Sequence, residues 1–268
     1  MSAVADRRPA WSIPEVGAEI VPWPLGWPDV LTREWAWGGS TGKGVRVCIL
    51  DSGIETGHTR VGLVEQAYVV DADGAVCEDE AVDVIGHGTA CAGIVRALAP
   101  ECELVSVRVL GGGLRGSGHI LLAGLRFAIE QGFEVVNLSL STAKLELARL
   151  LHELADSAYF RRTVIVAAAH NLPVESFPWK FASVISVGSH AGADPLEFFY
   201  NAEPPVEFFA RGIHVDVAWK GGGELRVTGN SFATPHIAGL AALVLGKHPR
   251  LTPFQLKTVL HLAASNVT

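Results

Sequence analysis

The sequence predicts an α/β fold, with a mainly parallel sheet between two layers of helices. Three observations predict it. Residues 45–50 form a continuous apolar, β-branched run, the pattern of a strand buried on both faces. Runs of this kind alternate with segments of helical periodicity, as βαβ units do. The residues able to do chemistry fall directly after strands or at helix starts, at the carboxyl edge where sites form in such sheets.

Residues 1–42 are rich in Pro, Trp and Gly, and five of the seven tryptophans fall before residue 38. Ile20-Val21-Pro22-Trp23-Pro24 cannot be helical, because each proline fixes its own φ and holds its predecessor extended. This stretch reads as an arm whose rings pack on a domain formed by residues 43–268. The alternative is a self-inhibitory segment lying across a cleft. Strands are expected at 45–50, 104–109, 135–140, 164–168 and 184–187. Helices are expected at 89–98, 118–130 and 143–157, the last with Leu147, Leu150, Leu151 and Leu154 on one face. Residues 213–218 and 225–228, joined by Gly221-Gly222-Gly223, read as a hairpin, and an apolar helix starts at Ser231. The last helix begins at Thr252-Pro253-Phe254-Gln255, with Thr as N-cap, Pro in the first helical position and Gln closing a capping box. No repeat or linker interrupts the domain.

The chain has 268 residues, is 49% hydrophobic and 18% charged, and carries a net charge of −7. That is a globular composition, and it offers no electrostatic case for nucleic acid or an anionic membrane. No apolar run is long enough to span a bilayer, and no secretory h-region follows Arg7 and Arg8, so a cytoplasmic location is expected. Cys48 and Cys91 sit in apolar patterns that suit buried thiols. Cys77 and Cys102 sit in polar surroundings where a bridge is neither demanded nor excluded. No cysteine spacing suits zinc.

Three Gly-flanked segments carry the chemistry: Val47-Cys48-Ile49-Leu50-Asp51-Ser52-Gly53, Gly86-His87-Gly88-Thr89 and Gly229-Asn230-Ser231-Phe232-Ala233-Thr234-Pro235-His236. A serine hydroxyl becomes a nucleophile only when a base takes its proton. Histidine titrates near neutrality and can take that proton, and a buried carboxylate fixes its tautomer. Asp51, His87 and Ser231 suit these roles. The Asn171 side chain, after the 164–168 strand, and the Ser231 N–H at a helix start are candidate donors to a developing oxyanion.

These three blocks, in this order, resemble the signature blocks of the subtilisin family of serine peptidases, and residues 164–171 resemble the family strand that ends in the oxyanion asparagine. The resemblance runs from about residue 44 to the C-terminus. It implies a subtilisin-like three-layer α/β/α sandwich and a serine endopeptidase acting through an acyl-enzyme. It also implies an extended peptide or protein substrate lying between two segments. The first holds Leu114, Gly116, Ser117 and Gly118, and the second Leu138, Ser139, Leu140 and Ser141. Ala168, Ala169 and His170 would form the far wall of the main pocket.

The sequence departs from the family pattern in four ways. Asn230 precedes the serine where the family usually has Thr, which changes local hydrogen bonding beside the substrate. Ser141, Thr142 and His170 stand where glycines are usual, so the pocket should be narrowed or made polar and should favour a small or acidic residue before the cut. Leu98-Ala99-Pro100 follows the 89–98 helix directly, so the family's tight calcium site should be missing and no cofactor is expected. No room for a folded prodomain precedes Asp51, which points to a dedicated precursor as substrate. The same acyl-enzyme could be captured by an amine to give a macrocycle, and a catalytically silent binding module is the non-enzymatic alternative. His236 reads as a packed structural histidine. Asp71, Asp73, Glu78, Asp79, Glu80 and Asp83 read as a solvated acidic loop.

Overall fold

A computed structural model describes residues 27–114 and 116–267. The inhibitory reading of the arm rests largely on residues 1–26, which lie outside the described residues. From Thr32 onward the chain forms one compact unit.

Nine strands make the main sheet: β1 (Arg46–Asp51), β2 (Gln66–Val70), β3 (Val76–Glu78), β4 (Glu103–Arg108), β5 (Val135–Leu138), β6 (Val164–Ala168), β7 (Ile185–His190), β8 (Phe198–Tyr200) and β9 (Phe208–Arg211). Their order is β3-β2-β4-β1-β5-β6-β7-β9-β8. All neighbours from β2 to β9 in this order pair parallel, and only the edge strands β3 and β8 are antiparallel. Two further strands, β10 (Val215–Trp219) and β11 (Gly223–Val227), form the expected separate hairpin. Among the described residues the α-helices are α1 (Arg33–Trp37), α2 (His87–Leu98), α3 (Gly118–Glu130), α4 (Ala148–Phe160), α5 (Asn230–Lys247) and α6 (Pro253–Ala263).

The α/β class and most elements follow the sequence reading. The helix expected over 143–157 begins later, at Ala148, after a 3₁₀ turn at Leu145–Leu147, and runs on to Phe160. The capping box on α6 is present, with Thr252 Oγ1 accepting from Gln255 N–H and Gln255 Oε1 accepting from Thr252 N–H. The segment 32–42 lies within the compact unit. Arg33 donates to the Ala263 carbonyl, Trp35 stacks on His248, and Lys247 caps α1 through the Glu34 and Gly38 carbonyls.

Two features place the site. β1 lies between β4 and β5, so chain connections leave it in opposite directions and a crevice opens at its carboxyl end, where Asp51 sits. Helix α5 is buried from Phe232 to Leu245, which is why its sequence is apolar on every side. It crosses the same edge with its N-terminus towards that crevice. Pro235 lies within its first turns and has no N–H to give the carbonyl four residues earlier. That carbonyl belongs to Ser231, and the Ser139 hydroxyl bonds it instead at 2.7 Å. A proline thus frees the backbone of Ser231 to be tied to the end of β5.

Candidate active site

Asp51 is fully buried at the end of β1, and both its carboxylate oxygens lie 2.9 Å from His87 Nδ1. Oδ1 also accepts the Ser52 N–H at 2.8 Å. An ionised carboxylate only accepts, so Nδ1 carries the proton and Nε2 is left with a free lone pair. Burial alone would push the His87 imidazole down. The Asp51 charge and hydrogen bond, and the Asp83 charge, outweigh it and hold the group above its ordinary value.

His87 is the first residue of α2, and its neighbours are glycines for steric reasons. A side chain at Gly88 would strike the Gly53 carbonyl at 2.1 Å, and one at Gly86, where φ is +116°, would strike the Trp219 ring. Only glycine lets the start of α2 come this close to the end of β1.

Asp83 is the residue whose importance the sequence reading missed. It does not lie in a solvated loop. Its Oδ1 accepts from Ser52 Oγ, Ile85 N–H and Gly86 N–H at 2.8, 2.9 and 2.7 Å. Its Oδ2 accepts from Thr89 N–H and Thr89 Oγ1 at 2.8 and 2.7 Å. Ser52 Oγ in turn accepts the Gly88 N–H at 3.1 Å. One carboxylate thus clamps the residue after Asp51 to the residues on both sides of His87. Among the other acids of that cluster, Asp79 pairs with Arg108 on β4 and Asp71 closes the β2–β3 turn. Little in the sequence signals Asp83, because the N-cap position of α2 is Gly86 and Asp83 reaches the Thr89 N–H from three residues before that cap.

Ser231 is the second residue of α5, where backbone N–H groups lack intrahelical acceptors. Asn171 Oδ1 accepts the Asn230 N–H at 2.9 Å, which commits the oxygen and leaves Nδ2 as the uncommitted donor. The Asn230 side chain is turned into the scaffold. Its Oδ1 accepts from Ser189 N–H and Oγ at 2.9 and 2.8 Å, and its Nδ2 donates to the Ala169 and His170 carbonyls at 3.0 and 3.4 Å. It braces the end of β7 against the segment after β6, and Asn230 also lines a cavity of about 610 Å³ together with Asn171 and Ser189.

A cavity of about 190 Å³ is lined by His87, Leu110, Ser139, Leu140, Ser141, Ala168, Ala169, His170, Asn171 and Ser231. It gathers most of the expected site residues. His87 and Ser231 share this lining but are not hydrogen-bonded to each other, the loose geometry common before substrate binds. Leu138 is fully buried in the core and contributes only backbone to β5. Among the described residues, Gly116, Ser117 and Gly118 are not part of this lining, and Gly118 starts α3, while the Leu114 side chain lies outside the described residues. Leu110, two residues beyond β4, stands at the wall instead, and the rule that sites form at strand ends could have found it.

The remaining groups near the site are structural. Cys91, one turn beyond His87, approaches Asp51 and His87 closely enough for the three to hold an ion. Burial pushes its thiol well above the ordinary range, so it stays protonated, and it contacts Ser139 Oγ and the Ser231 carbonyl. The His236 Nδ1 donates to the Phe232 carbonyl at 2.9 Å, and burial lowers its pKa to about 4, so it is neutral at pH 7. All four cysteines are free. Among the described residues no helix is long and apolar enough to cross a membrane.

The family model described as "Subtilase family" matches residues 42–268. Subtilisin DY of Bacillus licheniformis is 31% identical over 91% of this chain and 92% of its own length. Subtilisin BL of Lederbergia lenta is 32% identical over 85% of this chain and 86% of its own. Among solved structures, a cold adapted subtilisin-like serine proteinase superposes with a TM-score of 0.69 and 26% identity, covering 85% of this chain and 87% of that one.

Proposed function

The chain belongs to the subtilase family and is a subtilisin-like serine peptidase acting on peptides or proteins, and from that premise we propose that Ser231 is its nucleophile, His87 its general base, Asp51 the carboxylate that orients the imidazole and Asn171 an oxyanion donor. The observation that carries this assignment is the Asp51–His87 contact opening onto the same cavity as Ser231 and Asn171. In the proposed reaction Ser231 Oγ attacks the scissile carbonyl carbon as His87 Nε2 takes the hydroxyl proton. The oxyanion is met by Asn171 Nδ2 and the Ser231 N–H. The C–N bond then breaks, the His87 proton leaves with the amine, and water repeats the cycle on the acyl-enzyme.

The substrate in this reading is a dedicated peptide or protein precursor bound in extended form beside Ser139, Leu140 and Ser141, with water as acceptor. The small cavity supports it, since a narrow site favours few sequences over general digestion. Four free thiols suit an intracellular setting. Neither nucleic acid nor membrane is part of the proposal, given the net charge of −7.

We also infer activity without calcium. The oxygens that would attract a cation beyond α2 are already bound by Arg96, which donates to the Val61, Pro100, Cys102 and Leu63 carbonyls at 2.9, 2.9, 2.6 and 3.0 Å. A second nest, the Ala182 and Val184 carbonyls with the Glu207 carboxylate, is filled by the Lys257 ammonium. Protein cations already satisfy these oxygens, which supports activity without a bound metal.

Intact mass after incubation with a fluorophosphonate probe tests the assignment. One adduct is expected on wild type, none on Ser231→Ala, and no change with a calcium chelator. An adduct that persists in Ser231→Ala would refute the nucleophile, and loss of the adduct with chelator would refute calcium independence.

A further inference from the structure

Two residues outside the expected site, Ser176 and Trp179, stand behind Ser141, which lines the cavity beside Ser231. Thr142 and Phe177 pair by two backbone hydrogen bonds, each 2.9 Å, which bring the segment after β5 against residues 176–177. Ser176 is fully buried behind that contact. Its hydroxyl donates to Ser141 Oγ at 3.2 Å and accepts from Trp179 Nε1 at 2.8 Å. Trp179 is buried as well, and its indole backs Ser176 while also lining the second cavity, of about 610 Å³, which shares Ala169, His170 and Asn171 with the first.

The geometry points to a closed floor, and we propose that the Ser141–Ser176–Trp179 chain restricts the residue on the acyl side of the scissile bond to Gly, Ala or Ser. This rests on the peptidase reading above and adds the substrate class. The Ser176 hydroxyl is committed on both sides, so displacing it would strand the buried indole N–H and cost a hydrogen bond. The space left is about 190 Å³ and must also hold the reacting carbonyl. Among the described residues no lysine or arginine lines the cavity, so those residues offer a carboxylate no partner. The described lining therefore favours the small half of the expectation drawn from the sequence over the acidic half.

The test is a mass-spectrometric cleavage profile on a peptide library, run on enzyme titrated with the fluorophosphonate probe. We expect kcat/KM after Ala to exceed that after Leu or Phe by about 100-fold. Ser141→Gly removes the side chain on the wall while leaving the Ser176–Trp179 bond in place. It should raise kcat/KM after Leu by about tenfold or more. Ser141→Val, which refills the volume without a hydroxyl, should keep the preference for small residues. Labelled enzyme that cuts after Leu or Phe as well as after Ala overturns the specificity alone, as does an unchanged profile in Ser141→Gly. No label and no cut overturns the peptidase assignment and the specificity with it.

Discussion

The two halves of the site are held by opposite chemistry. Around His87 the fixed groups are carboxylates: Asp51 bonds the imidazole, and Asp83 accepts five hydrogen bonds from Ser52 and from residues 85–89. Around Ser231 the fixed groups are neutral amides and hydroxyls, from Asn171, Asn230, Ser139 and Ser189. The division follows from the proposed reaction. The imidazole becomes cationic in the transition state and gains from nearby negative charge, whereas the carbonyl oxygen becomes anionic and would be opposed by it. The more distant carboxylate braces the base, and the brace beside the nucleophile is an uncharged asparagine.

Breaking each half in turn should give unequal losses. Asp51→Asn removes the charge that holds the Nδ1 tautomer, and kcat should fall by about 10⁴-fold with the fold intact by circular dichroism. A loss under tenfold would mean that Asp51 is not the orienting carboxylate. Asn171→Ala removes one donor from the neutral half and should cost about 10²–10³ in kcat with little change in KM. Asn171→Asp sharpens the comparison, because it keeps the size but places an anion where the oxyanion forms. It should be slower than Asn171→Ala above pH 7, and faster turnover by the Asp variant would contradict the proposed role.

The sequence made the motifs legible because each carries a local demand. Pro235 and the small residues of α5 announce a buried helix, and Thr252, Pro253 and Gln255 announce a helix start. Strands β2, β3, β8 and β9 escaped it: three of them have only three or four residues, too few to show alternation, and β2, with one buried residue, has no continuous buried run. The long-range groups escaped for a different reason. Ser176 meets Ser141 and Asp83 meets Ser52 only after chain segments 35 and 31 residues apart are folded together. No spacing in the sequence encodes those contacts. Asn230 shows the same limit: its position beside the serine was visible, but its four bonds to two other strand ends were not.

The smallest expected effect is also the one that isolates charge from geometry. Asp83→Asn keeps the acceptor for Ser52, Ile85 and Gly86 but turns an amide towards the Thr89 donors, so some slackening at the start of α2 is unavoidable. A loss of about tenfold in kcat/KM at its plateau would fit that displacement. Slackening alone would scale the whole pH profile. The charge acts differently. Asp83 favours the imidazolium, so it helps to hold the His87 pKa above its ordinary value. The base must be neutral to act, and the acid limb of kcat/KM reports its pKa in the free enzyme. Removing the charge lowers that pKa and moves the limb to lower pH, so the variant keeps a larger fraction of its own maximum under mildly acidic conditions than wild type does. A limb that stays in place while the plateau drops would show Asp83 to be a clamp only, and the electrostatic division between the two halves would then rest on Asp51 alone.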